Sequence, residues 1–590
     1  YSNGPCGFAY DPGTALSEKF RNFFFLAQGR KMTAFKVRPK GAAFEMYDEQ
    51  TIPGGGSSTG VAFGPGGALY VTDWMNGPSE RGRVWKIDST KGKDDPARKR
   101  TRKLLAEGMT DKLKSYLVAC LAEPDFRVRK AAQFELVRRG EPGRKALLAV
   151  ARQKENQLAR LHAIWGTGQV ARGWPDGKGK DPDAVRPLLE LLTDKDAEVR
   201  AQASKVLGES AHSPALATLI DLLKDSSVRV RFHSAIALGK LKSTKAIAPL
   251  LELVEENDDV DAFLRHAAVM GLAGSAQTNP KVLLETINSP HPSVRLAAIL
   301  ALRRHAHPGI SSFLKDKDLY LVTEVARAIH DDFSIPDALP ALAAILDRSD
   351  LEGEPLLRRA INANFRVGRP SDAERLARYA ANPSSPEHMR TTALACLALW
   401  AQPPVLDAVE GRYREYSARN PKPAAKALAK VAQDLVKNAS PKVLTVLARA
   451  IERLKVSDLL PVVHAAYESE RTTPYLQAQL LGTMAELSDP ALGKFVESAL
   501  ESKDARLRAA GQKRAWAAGL SGVEVFAKAL ESGTLTEKRS ALGNLAQSDD
   551  KQADALLAKQ FAKIEPELKL DLLEAARTAK GPVARSKAKA

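Results

Sequence analysis

The stretch Asp196-Ala-Glu-Val-Arg-Ala-Gln-Ala-Ser-Lys-Val-Leu-Gly208 decides the fold of this chain. It recurs as Ser227-Val-Arg-Val-Arg-Phe-His-Ser-Ala-Ile-Ala-Leu-Gly239 and, shortened, as Pro292-Ser-Val-Arg-Leu-Ala-Ala-Ile-Leu-Ala-Leu302. In these copies a capping or turn residue opens a helical pattern, an arginine follows, and small and large apolar residues continue at helical spacing. An apolar run such as residues 215–223 supplies a preceding helix. The repeat therefore predicts pairs of α-helices.

The spacing of the repeat identifies its type. Aligned on their arginines, the copies lie 31, 40, 31, 34, 30, 32, 32 and 31 residues apart, counted by subtraction between Arg129, Arg160, Arg200, Arg231, Arg265, Arg295, Arg327, Arg359 and Arg390. The longest gap contains an insertion at 173–182, and Arg508 marks a later, more divergent copy. This period is typical of HEAT-like helix pairs, which bury their apolar faces only by stacking. We predict a mainly α fold, with a HEAT-type α-solenoid over 110–582 and a disordered tail over 583–590.

Residues 1–90 have a different texture, rich in Gly, Pro and aromatic residues. Turn signals at Asp11-Pro-Gly13, Arg38-Pro-Lys-Gly41 and Gly64-Pro-Gly-Gly67 separate short β-type runs. We predict four strands and then, after Gly54-Gly-Gly56, three more, at Gly7–Tyr10, Asn22–Leu26, Thr33–Val37, Ala43–Tyr47, Val61–Phe63, Leu69–Thr72 and Val84–Ile87. A four-stranded set followed by a three-stranded set suggests the last two blades of a truncated β-propeller. Because the sequence begins at Tyr1 without a leader, we expect a piece of a longer protein.

A polar, strongly basic segment follows the predicted strands. The run Lys91-Gly-Lys-Asp-Asp-Pro-Ala-Arg-Lys-Arg-Thr-Arg-Lys103 predicts a linker, which we place at 91–109. A nucleic-acid-binding patch is the alternative interpretation of the same residues. The whole chain carries a formal charge of +18, which favours acidic partners, although only 6% of its residues are aromatic and base-stacking surfaces are correspondingly scarce.

The cysteines and the hydropathy pattern exclude several classes of protein. No C-x-x-C is present, which excludes a zinc ribbon and a covalent c-type haem site in this chain. Cys120 and Cys396 lie in Ala-Cys-Leu contexts on helical patterns and are predicted to be core residues, whereas Cys6 lies near the start. No run of about 18 apolar residues occurs, so no transmembrane segment is predicted.

Several stretches carry a resemblance to a known family. These are residues 4–16 and 20–26, residues 37–45, the run Val61-Ala-Phe-Gly-Pro-Gly-Gly-Ala-Leu-Tyr-Val-Thr-Asp-Trp74, and Arg160-Leu-His-Ala-Ile-Trp-Gly166 in an early repeat. They resemble the large membrane-bound-dehydrogenase-type proteins of planctomycetes and verrucomicrobia. Members of that family join a propeller similar to PQQ-dependent glucose/sorbosone dehydrogenases to HEAT repeats, often followed by a c-type haem domain.

The resemblance implies a periplasmic or extracellular parent that uses PQQ and calcium, with haem c only if a further C-terminal domain exists. It implies no site residue in this chain, because the blades expected to hold the cofactor and the catalytic base are missing. Gly66 also replaces an Asp that the family commonly has in its strand-turn-strand motif. We therefore assign no catalytic, cofactor-binding or metal-binding residue and no cofactor to this chain.

A few side chains could nevertheless carry chemistry. Asp73-Trp74 ends a predicted strand at a propeller-like rim, where it could meet a ligand; the structural alternative is an Asp that closes a turn and a Trp that packs between blades. His330-Asp331-Asp332 has metal-capable groups, but adjacent helical residues point apart, which favours a solvated helix end or cap. His305-x-His307 shares this weakness. The histidines beside the repeat arginines are interpreted as packing residues: His162, His233 and His266.

The repeated Asp and Arg residues, such as Asp196 with Arg200, are interpreted as structural. An arginine that recurs once per unit could bond the preceding turn or the neighbouring unit's Asp and so form a ladder. The glycines at Gly13, Gly41 and Gly54–Gly56 do not open a helix in a β-α-β setting, so no phosphate-binding loop is predicted. The functional prediction is a scaffold that binds a protein partner, an acidic protein or an electron carrier, on the solenoid's concave face. The alternatives are part of a PQQ-dependent sugar or alcohol dehydrogenase, and a basic solenoid that binds nucleic acid.

Overall fold

In a computed structural model of the chain, the residues described are 6–28, 31–52, 58–74, 82–331 and 335–589. Within them, seven strands come first in the chain: β1 Gly7–Tyr10, β2 Phe24–Gln28, β3 Lys31–Lys40, β4 Ala43–Ile52, β5 Ser58–Phe63, β6 Leu69–Asp73 and β7 Arg83–Ile87. They form a four-stranded antiparallel sheet, β1-β2-β3-β4, and a three-stranded antiparallel sheet, β5-β6-β7. This grouping into four and three is the predicted one. Gly54–Gly56 lie outside the described residues.

The two sheets share one small core. Alternation along β2 and β3 turns Phe25, Met32 and Ala34 toward Leu69 and Val71 of β6, and all five side chains are buried. β1 and β2 contact β5, so the sheets pack against each other. β4 and β7 lie at the outer edges of their sheets.

The chain divides into two compact units, Tyr1–Ser312 and Phe313–Ala590. The first contains the sheets, two long 3-10 segments at Pro182–Thr193 and Pro280–Asn288, and the helices α1 Pro96–Glu107, α2 Lys114–Cys120, α3 Phe126–Arg138, α4 Glu141–Ala151, α5 Gln157–Ala171, α6 Ala197–Glu209, α7 Leu216–Asp221, α8 Val228–Leu241, α9 Ile247–Asn257, α10 Ala262–Ser275 and α11 Pro292–Arg304.

The second unit is helical throughout its described residues, apart from turns and loops. Its helices are α12 Leu319–His330, α13 Leu339–Ala344, α14 Glu354–Val367, α15 Pro370–Ala381, α16 Glu387–Ala398, α17 Lys422–Asn438, α18 Pro441–Leu454, α19 Leu460–Glu468, α20 Pro474–Glu486, α21 Leu492–Leu500, α22 Ala505–Gln512, α23 Gly522–Ser532, α24 Leu535–Ala546, α25 Lys551–Lys559, α26 Lys569–Thr578 and α27 Pro582–Lys589.

In both units one helix of each pair packs against its counterpart in the next pair. In the first unit this row is α3, α5, α6, α8, α10 and α11. In the second unit it runs α12, α14, α16, α18, α20, α22, α24 and α26. This neighbour-on-neighbour layering is the architecture of a HEAT-type α-solenoid, preceded here by a small all-β segment. It confirms the predicted fold class.

Glycines allow the closest helix contacts in the first unit. A Cβ added to Gly208 of α6 would lie 2.5 Å from Ala237 Cα of α8, and one on Gly239 would lie 2.5 Å from Met270 O of α10. No side chain fits at such separations, so the backbones of α6, α8 and α10 meet almost directly. The recurring glycine of the repeat is therefore a packing requirement.

The predicted linker is wrong for most of its length. Residues 96–107 form α1, because Asp95 caps the helix, Pro96 opens it, and Arg98, Thr101 and Leu104 turn one face inward. Arg98 is buried, donates to the carbonyl oxygen of Gly66 and pairs with Asp88 at 2.9 Å. The other basic side chains of this helix lie on its outer face.

The predicted disordered tail is also wrong. Residues 582–589 form α27, whose first amides are bound by the buried carboxylate of Asp554. Val583 N and Ala584 N each donate to Asp554 at 2.9 Å, and Ala584 is buried. The tail has no apolar stripe to predict a helix, but a carboxylate from α25 supplies the cap that the tail's own sequence lacks.

The remaining structural predictions were met in part. Cys120 and Cys396 are buried, as predicted, and Cys6 is exposed.

The insertion at 173–182 lies in the irregular segment between α5 and the 3-10 segment that begins at Pro182. A second irregular segment, residues 401–421 between α16 and α17, is not marked by the repeat spacing. Within the described residues, no helix has the length and apolar character needed to cross a membrane.

Candidate functional site

Repeat arginines form the predicted ladder of contacts between neighbouring units. Arg200 donates Nε and Nη2 to the two carboxylate oxygens of Asp225, at 2.8 and 2.9 Å, and Nη1 to Asp194 O of its own preceding turn at 2.7 Å. Arg160 binds the next unit's Asp194 in the same way. Arg508 donates to Ser502 O and to both oxygens of Glu537. These side chains link turn to turn along the stack, as predicted, and are fully occupied in doing so.

The histidines that follow the repeat arginines differ from one another. His162 is buried, lies 2.7 Å from Gln133 Oε1 through Nδ1 and packs edge-on against Trp165, which confirms its packing role. His233 is half-buried against Phe232. Burial, with a contribution from nearby arginines, lowers the pKa of both His162 and His233 to about 4, so both rings are neutral at pH 7. His266 is exposed, and the prediction that it packs is wrong.

Asp73-Trp74 is divided between core and solvent. Asp73 is buried and accepts a hydrogen bond from Trp85 Nε1 of β7 at 3.0 Å, which supports a structural role. Trp74 is 74% exposed, so the prediction that it packs between blades is wrong. His305 and His307 were the second candidate for metal binding. His307 Nδ1 accepts a hydrogen bond from Gly309 N and closes a turn, and His305 is half-buried.

His330 is fully buried, so the prediction of a solvated helix end is wrong, whereas its alternative, a cap, is met by Asp331 at the C-terminus of α12. Its Nδ1 lies 3.0 Å from Asp331 Oδ1, and its Nε2 accepts from Asn362 Nδ2 at 2.8 Å. The other hydrogen of the Asn362 amide goes to Asp407 in the irregular segment 401–421. Asp332 lies outside the described residues. Glu410, from the same segment, approaches His330 and Asp331, and ligand atoms of these three residues lie within 4.8 Å of one another.

Arginines pair with both carboxylates of this cluster. Arg359 donates to both oxygens of Asp331, at 2.8 and 2.7 Å, and Arg414 pairs with Glu410. Burial raises the pKa of Asp331, but its hydrogen bonds to His330 and Arg359 outweigh that effect and hold the pKa well below the usual range. A divalent cation would have to displace both guanidinium groups. The cluster therefore fastens 401–421 to α12 and α14.

A cleft in the first unit, which we call the hairpin cleft, is the best candidate for a binding site. It has a volume of about 620 Å³, within the range of ligand sites, and it lies between the β3–β4 hairpin and the first turns of α8 and α10. The hairpin contributes Lys40, Gly41, Ala43 and Phe44; the helices and their turn contribute Val228, Arg231, Glu256, Val260 and Phe263.

One carboxylate holds the hairpin in place. Asp261 Oδ2 accepts from Ala42 N at 2.7 Å, while Oδ1 accepts from Phe263 N and Leu264 N and so caps α10. Gly41 is required here, because its φ is +57° and a Cβ would lie 2.1 Å from Asp261 Oδ2. The buried amide of Asn257 donates to Asp261 O and accepts from Asp261 N, which fixes the turn between α9 and α10.

A chain of polar contacts supports the other wall of the hairpin cleft. Trp165 Nε1 of α5 donates to Gln202 Oε1 of α6 at 2.8 Å, and Gln202 donates to Glu198 Oε1 at 2.7 Å. Glu198 accepts from Arg229 Nε of α8 at 2.6 Å, and the Arg229 guanidinium lies 5.2 Å from the ring centre of Phe44. Phe44 is thereby positioned by three successive repeats.

The surface of the hairpin cleft combines apolar side chains with an arginine that is ion-paired to Glu256. Val260 is 89% exposed and Phe263 57% exposed, and Phe44 is also exposed. Arg231 Nη2 lies 3.1 Å from Glu256 Oε2 but outside hydrogen-bond geometry. Among the described residues, Arg231 Nε and Nη2 are buried without a hydrogen-bond acceptor.

The sequence did not indicate these residues as a site. The one signal was the placement of Val260 in an Asp-rich turn, where polar residues are expected, just before Phe263. Their meeting with Phe44, more than 200 residues earlier, depends on tertiary packing alone.

Comparison with known proteins agrees with the helical-repeat description. Residues 185–273 match the HEAT repeat family. The chain has no significant match among curated proteins.

Solved structures resemble the chain only distantly. The complex of CpcE and CpcF of phycocyanin lyase from Nostoc sp. PCC7120 is 21% identical, with 43% of this chain and 86% of that chain covered and a TM-score of 0.23. The karyopherin Kap121p bound to the SUMO protease Ulp1p is 14% identical, covering 81% and 53%, with a TM-score of 0.38. Importin beta is 13% identical, covering 82% and 72%, with a TM-score of 0.35. The chain thus spans about half the length of Kap121p. Likenesses this low say nothing about what the chain binds.

Proposed function

We propose that this chain is a protein-interaction scaffold whose docking site is the hairpin cleft. The observation that carries the proposal is the exposure of Val260 and Phe263 beside Phe44, in a cleft whose walls come from segments far apart in the sequence. Exposed apolar side chains scattered singly are ordinary, but several that line one rigid cleft are typical of an interaction site. Arg160, Arg200 and Arg508 are engaged in internal contacts, as is the buried His162, and these contacts support a structural role for them.

Site-specific photo-crosslinking tests this proposal. Benzoylphenylalanine is placed at Phe263 and, as the matched control, at Tyr320, which is 54% exposed at the equivalent second position of α12. Both aromatic residues donate their backbone N–H to the capping Asp at 2.9 Å, so their local settings match. We expect discrete protein adducts in cells of the encoding organism from position 263 only. Equal adducts from both positions, or none from 263, would contradict the proposal.

We also propose, as a separate point, that the chain is the C-terminal part of a dehydrogenase-like parent. Two antiparallel meanders packed face to face are consistent with neighbouring propeller blades, and they support the family resemblance of residues 1–90. The parent would then be a periplasmic PQQ-dependent sugar or alcohol dehydrogenase. Within the described residues, the His330 cluster is tied to arginines, so we assign no calcium or PQQ site to this chain.

Peptide mapping of the protein isolated from its source, together with the upstream coding sequence, tests the parentage. We expect further β-blade sequence before Tyr1, and the parentage is wrong if none is encoded there. The chain by itself, supplied with PQQ and calcium, is expected to reduce no dye in the presence of sugars or alcohols. Dye reduction above that of a heat-denatured control would place a catalytic site within this chain.

A further inference from the structure

Strand β7 is an open edge of the three-stranded sheet. It pairs with β6 alone, in an uninterrupted antiparallel register that runs from Leu69 opposite Ile87 to Asp73 opposite Arg83. Its residues 83–86 are all exposed, so neither face of the strand is covered. In the part of the chain that the structure describes, its one hydrogen bond outside that pairing runs from Trp85 Nε1 to Asp73. The outward N–H and C=O groups of β7 are therefore available to a further strand.

The other edges of the two sheets are less open to pairing. β1 and β5 contact each other. A bulge interrupts the pairing of β3 with β4, and Asp48 of β4 has a left-handed φ of +53°. β4 also carries Glu45 and Glu49, whereas β7 contains no acidic residue, no proline and no bulge. Bulges and charges are the usual devices that keep an edge strand from pairing, so β7 is the edge that can accept a further strand.

The side chains of β7 indicate the chemistry of an added strand. Arg83, Trp85 and Ile87 lie on one face of the sheet. Val84 and Lys86 lie on the other. Among the residues described, neither Arg83 nor Lys86 forms an ion pair, and the Arg83 guanidinium lies 5.2 Å from the ring centre of Trp85. Opposite charges on facing positions stabilise a strand pair and like charges destabilise it, so these two residues favour an acidic neighbour.

We propose that β7 binds an extended segment of a partner protein as a fourth, antiparallel strand. Acidic residues of the segment stand opposite Arg83 and Lys86, and large apolar residues stand opposite Val84 and Trp85. Every strand pair in the two sheets is antiparallel, and the neighbouring sheet already has four strands. The main-chain hydrogen bonds supply affinity and the facing side chains supply specificity, as in other cases of strand addition.

Two other occupants fit the edge less well. A second copy of β7 would bring the positive charges of two Arg83 and two Lys86 side chains together, which disfavours self-pairing. Nucleic acid would meet the same positive charge, but its backbone cannot form the ladder of N–H and C=O hydrogen bonds that a strand edge offers. The surface is separate from the hairpin cleft, and the inference does not rest on the docking proposed there.

Fluorescence polarisation with a defined probe tests the chemistry. The probe is the labelled peptide Ser-Val-Glu-Tyr-Val-Glu-Ser, whose inner residues stand, in order, opposite Ile87, Lys86, Trp85, Val84 and Arg83. The control peptide has Lys for each Glu. We expect the full chain to bind the probe at least about tenfold more tightly than the control, because the control places like charges on facing positions. The affinity for the probe should fall as the salt concentration rises, since exposed charge pairs are screened.

Two N-methylated forms of the probe distinguish strand addition from contact through side chains alone. In an added strand, alternate residues direct their main-chain N–H toward β7, and the others direct it away. One form is methylated on the amides of its second, fourth and sixth residues, and the other on those of its third and fifth. We expect one form to lose at least about tenfold in affinity and the other to keep it. Equal loss or equal retention by the two forms would overturn the proposal.

Variants of the full chain locate the binding. Lys86→Glu alters an exposed side chain and is expected to weaken probe binding at least about tenfold and to bind the lysine control peptide more tightly than the unaltered chain does. Lys31→Glu, at an exposed position of the other sheet, is the matched control and should bind the probe like the unaltered chain. Hydrogen exchange is expected to slow at residues 83–87 when the probe is added, and to stay the same at residues 43–52.

Several results would overturn the inference. They are no binding of the probe, equal binding by Lys86→Glu, and slowed exchange at residues 43–52 in place of 83–87. A labelled oligonucleotide that binds the unaltered chain but not Lys86→Glu, while the probe does not bind, would make nucleic acid the occupant. Protection of residues 83–87 without any partner, in the protein isolated from its source, would mean that this protein supplies the fourth strand itself. None of these results changes the crosslinking expected at Phe263, so the docking proposal and this inference fail separately.

Discussion

Asp261 Oδ2 accepts a hydrogen bond from Ala42 N at 2.7 Å, across 219 residues of sequence. The other oxygen of the same carboxylate caps α10 through Phe263 N and Leu264 N. One side chain thus fixes both the tip of a β-hairpin and the start of a repeat helix. The hairpin cleft exists because these two elements are held together.

Replacement of Asp261 by Ala is expected to free the hairpin as well as to weaken the helix. Loss of an N-cap costs about 0.5–2 kcal/mol, and loss of the hairpin contact adds about 1 kcal/mol. Asp504→Ala is the control, since Asp504 caps α22 through Arg506 N and Leu507 N. Hydrogen exchange at residues 40–46 should accelerate in Asp261→Ala only. Unchanged exchange there would show that Asp261 does not anchor the hairpin.

Two helix glycines are expected to respond to alanine with opposite signs. Gly239→Ala places a Cβ against Met270 O and should destabilise the chain by about 1–3 kcal/mol. Gly543 of α24 has nothing within 4 Å of an added Cβ, so Gly543→Ala should stabilise by about 0.5–1 kcal/mol. Urea unfolding followed by circular dichroism measures both changes. Stabilisation by Gly239→Ala would refute the close helix contact.

The Arg200–Asp225 pair is expected to couple more strongly than a surface pair. Both side chains are largely buried, and two hydrogen bonds join them. A double-mutant cycle with alanine should give a coupling energy of about 1.5–3 kcal/mol. Arg152 and Glu190 are about half exposed, and their cycle should give less than about 1 kcal/mol. Thermal unfolding of the two sets of variants provides the comparison. Similar coupling in the two cycles would argue against an energetic role for the ladder.

His162 is expected to make stability depend on pH. Its folded-state pKa of about 4 lies below the ordinary value of 6.5, so the unfolded chain takes up the proton first as pH falls. The stabilisation is therefore complete above pH 6.5 and is lost as the pH falls toward 4. His162→Gln can keep a hydrogen bond to Gln133 without this proton, and its Tm should fall less between pH 7 and pH 5 than that of the unaltered chain.

The exposed His266 supplies the control for that measurement. His266→Gln, a substitution at an exposed position, should show the same fall in Tm between pH 7 and pH 5 as the unaltered chain. A fall in His162→Gln as large as that of the unaltered chain would mean that the buried ring does not resist protonation.

The repeat architecture was predictable because it depends on local rules applied many times. Asp196 caps its helix, Arg200 recurs at a fixed position, and Gly208 meets the next helix, so each copy states the same geometry. The grouping of the strands into four and three followed from turn residues, which also act locally.

The failures share a physical cause, which is contact between distant segments. α1 was predicted as a linker because Arg98 finds its partners outside the helix. These partners are Asp88 and the carbonyl oxygen of Gly66, both in the β segment. His330 looked solvated because Asp407 and Glu410 reach it from an irregular segment that the repeat does not encode. The hairpin cleft was invisible for the same reason. A capped terminus or a binding site built from two remote parts leaves no periodic mark in either part.

The β segment is hydrogen-bonded to the helical row at α3, where Arg127 Nη1 donates to Gly64 O at 2.8 Å, and at α10, where Asp261 accepts from Ala42 N. Because the β segment is bound to both α3 and α10, the repeats between these helices cannot separate without breaking one of these contacts. A force that pulls these repeats apart would act on the two hydrogen bonds before it separated any pair of packed helices. The repeats from α3 to α10 would then move as a single rigid body.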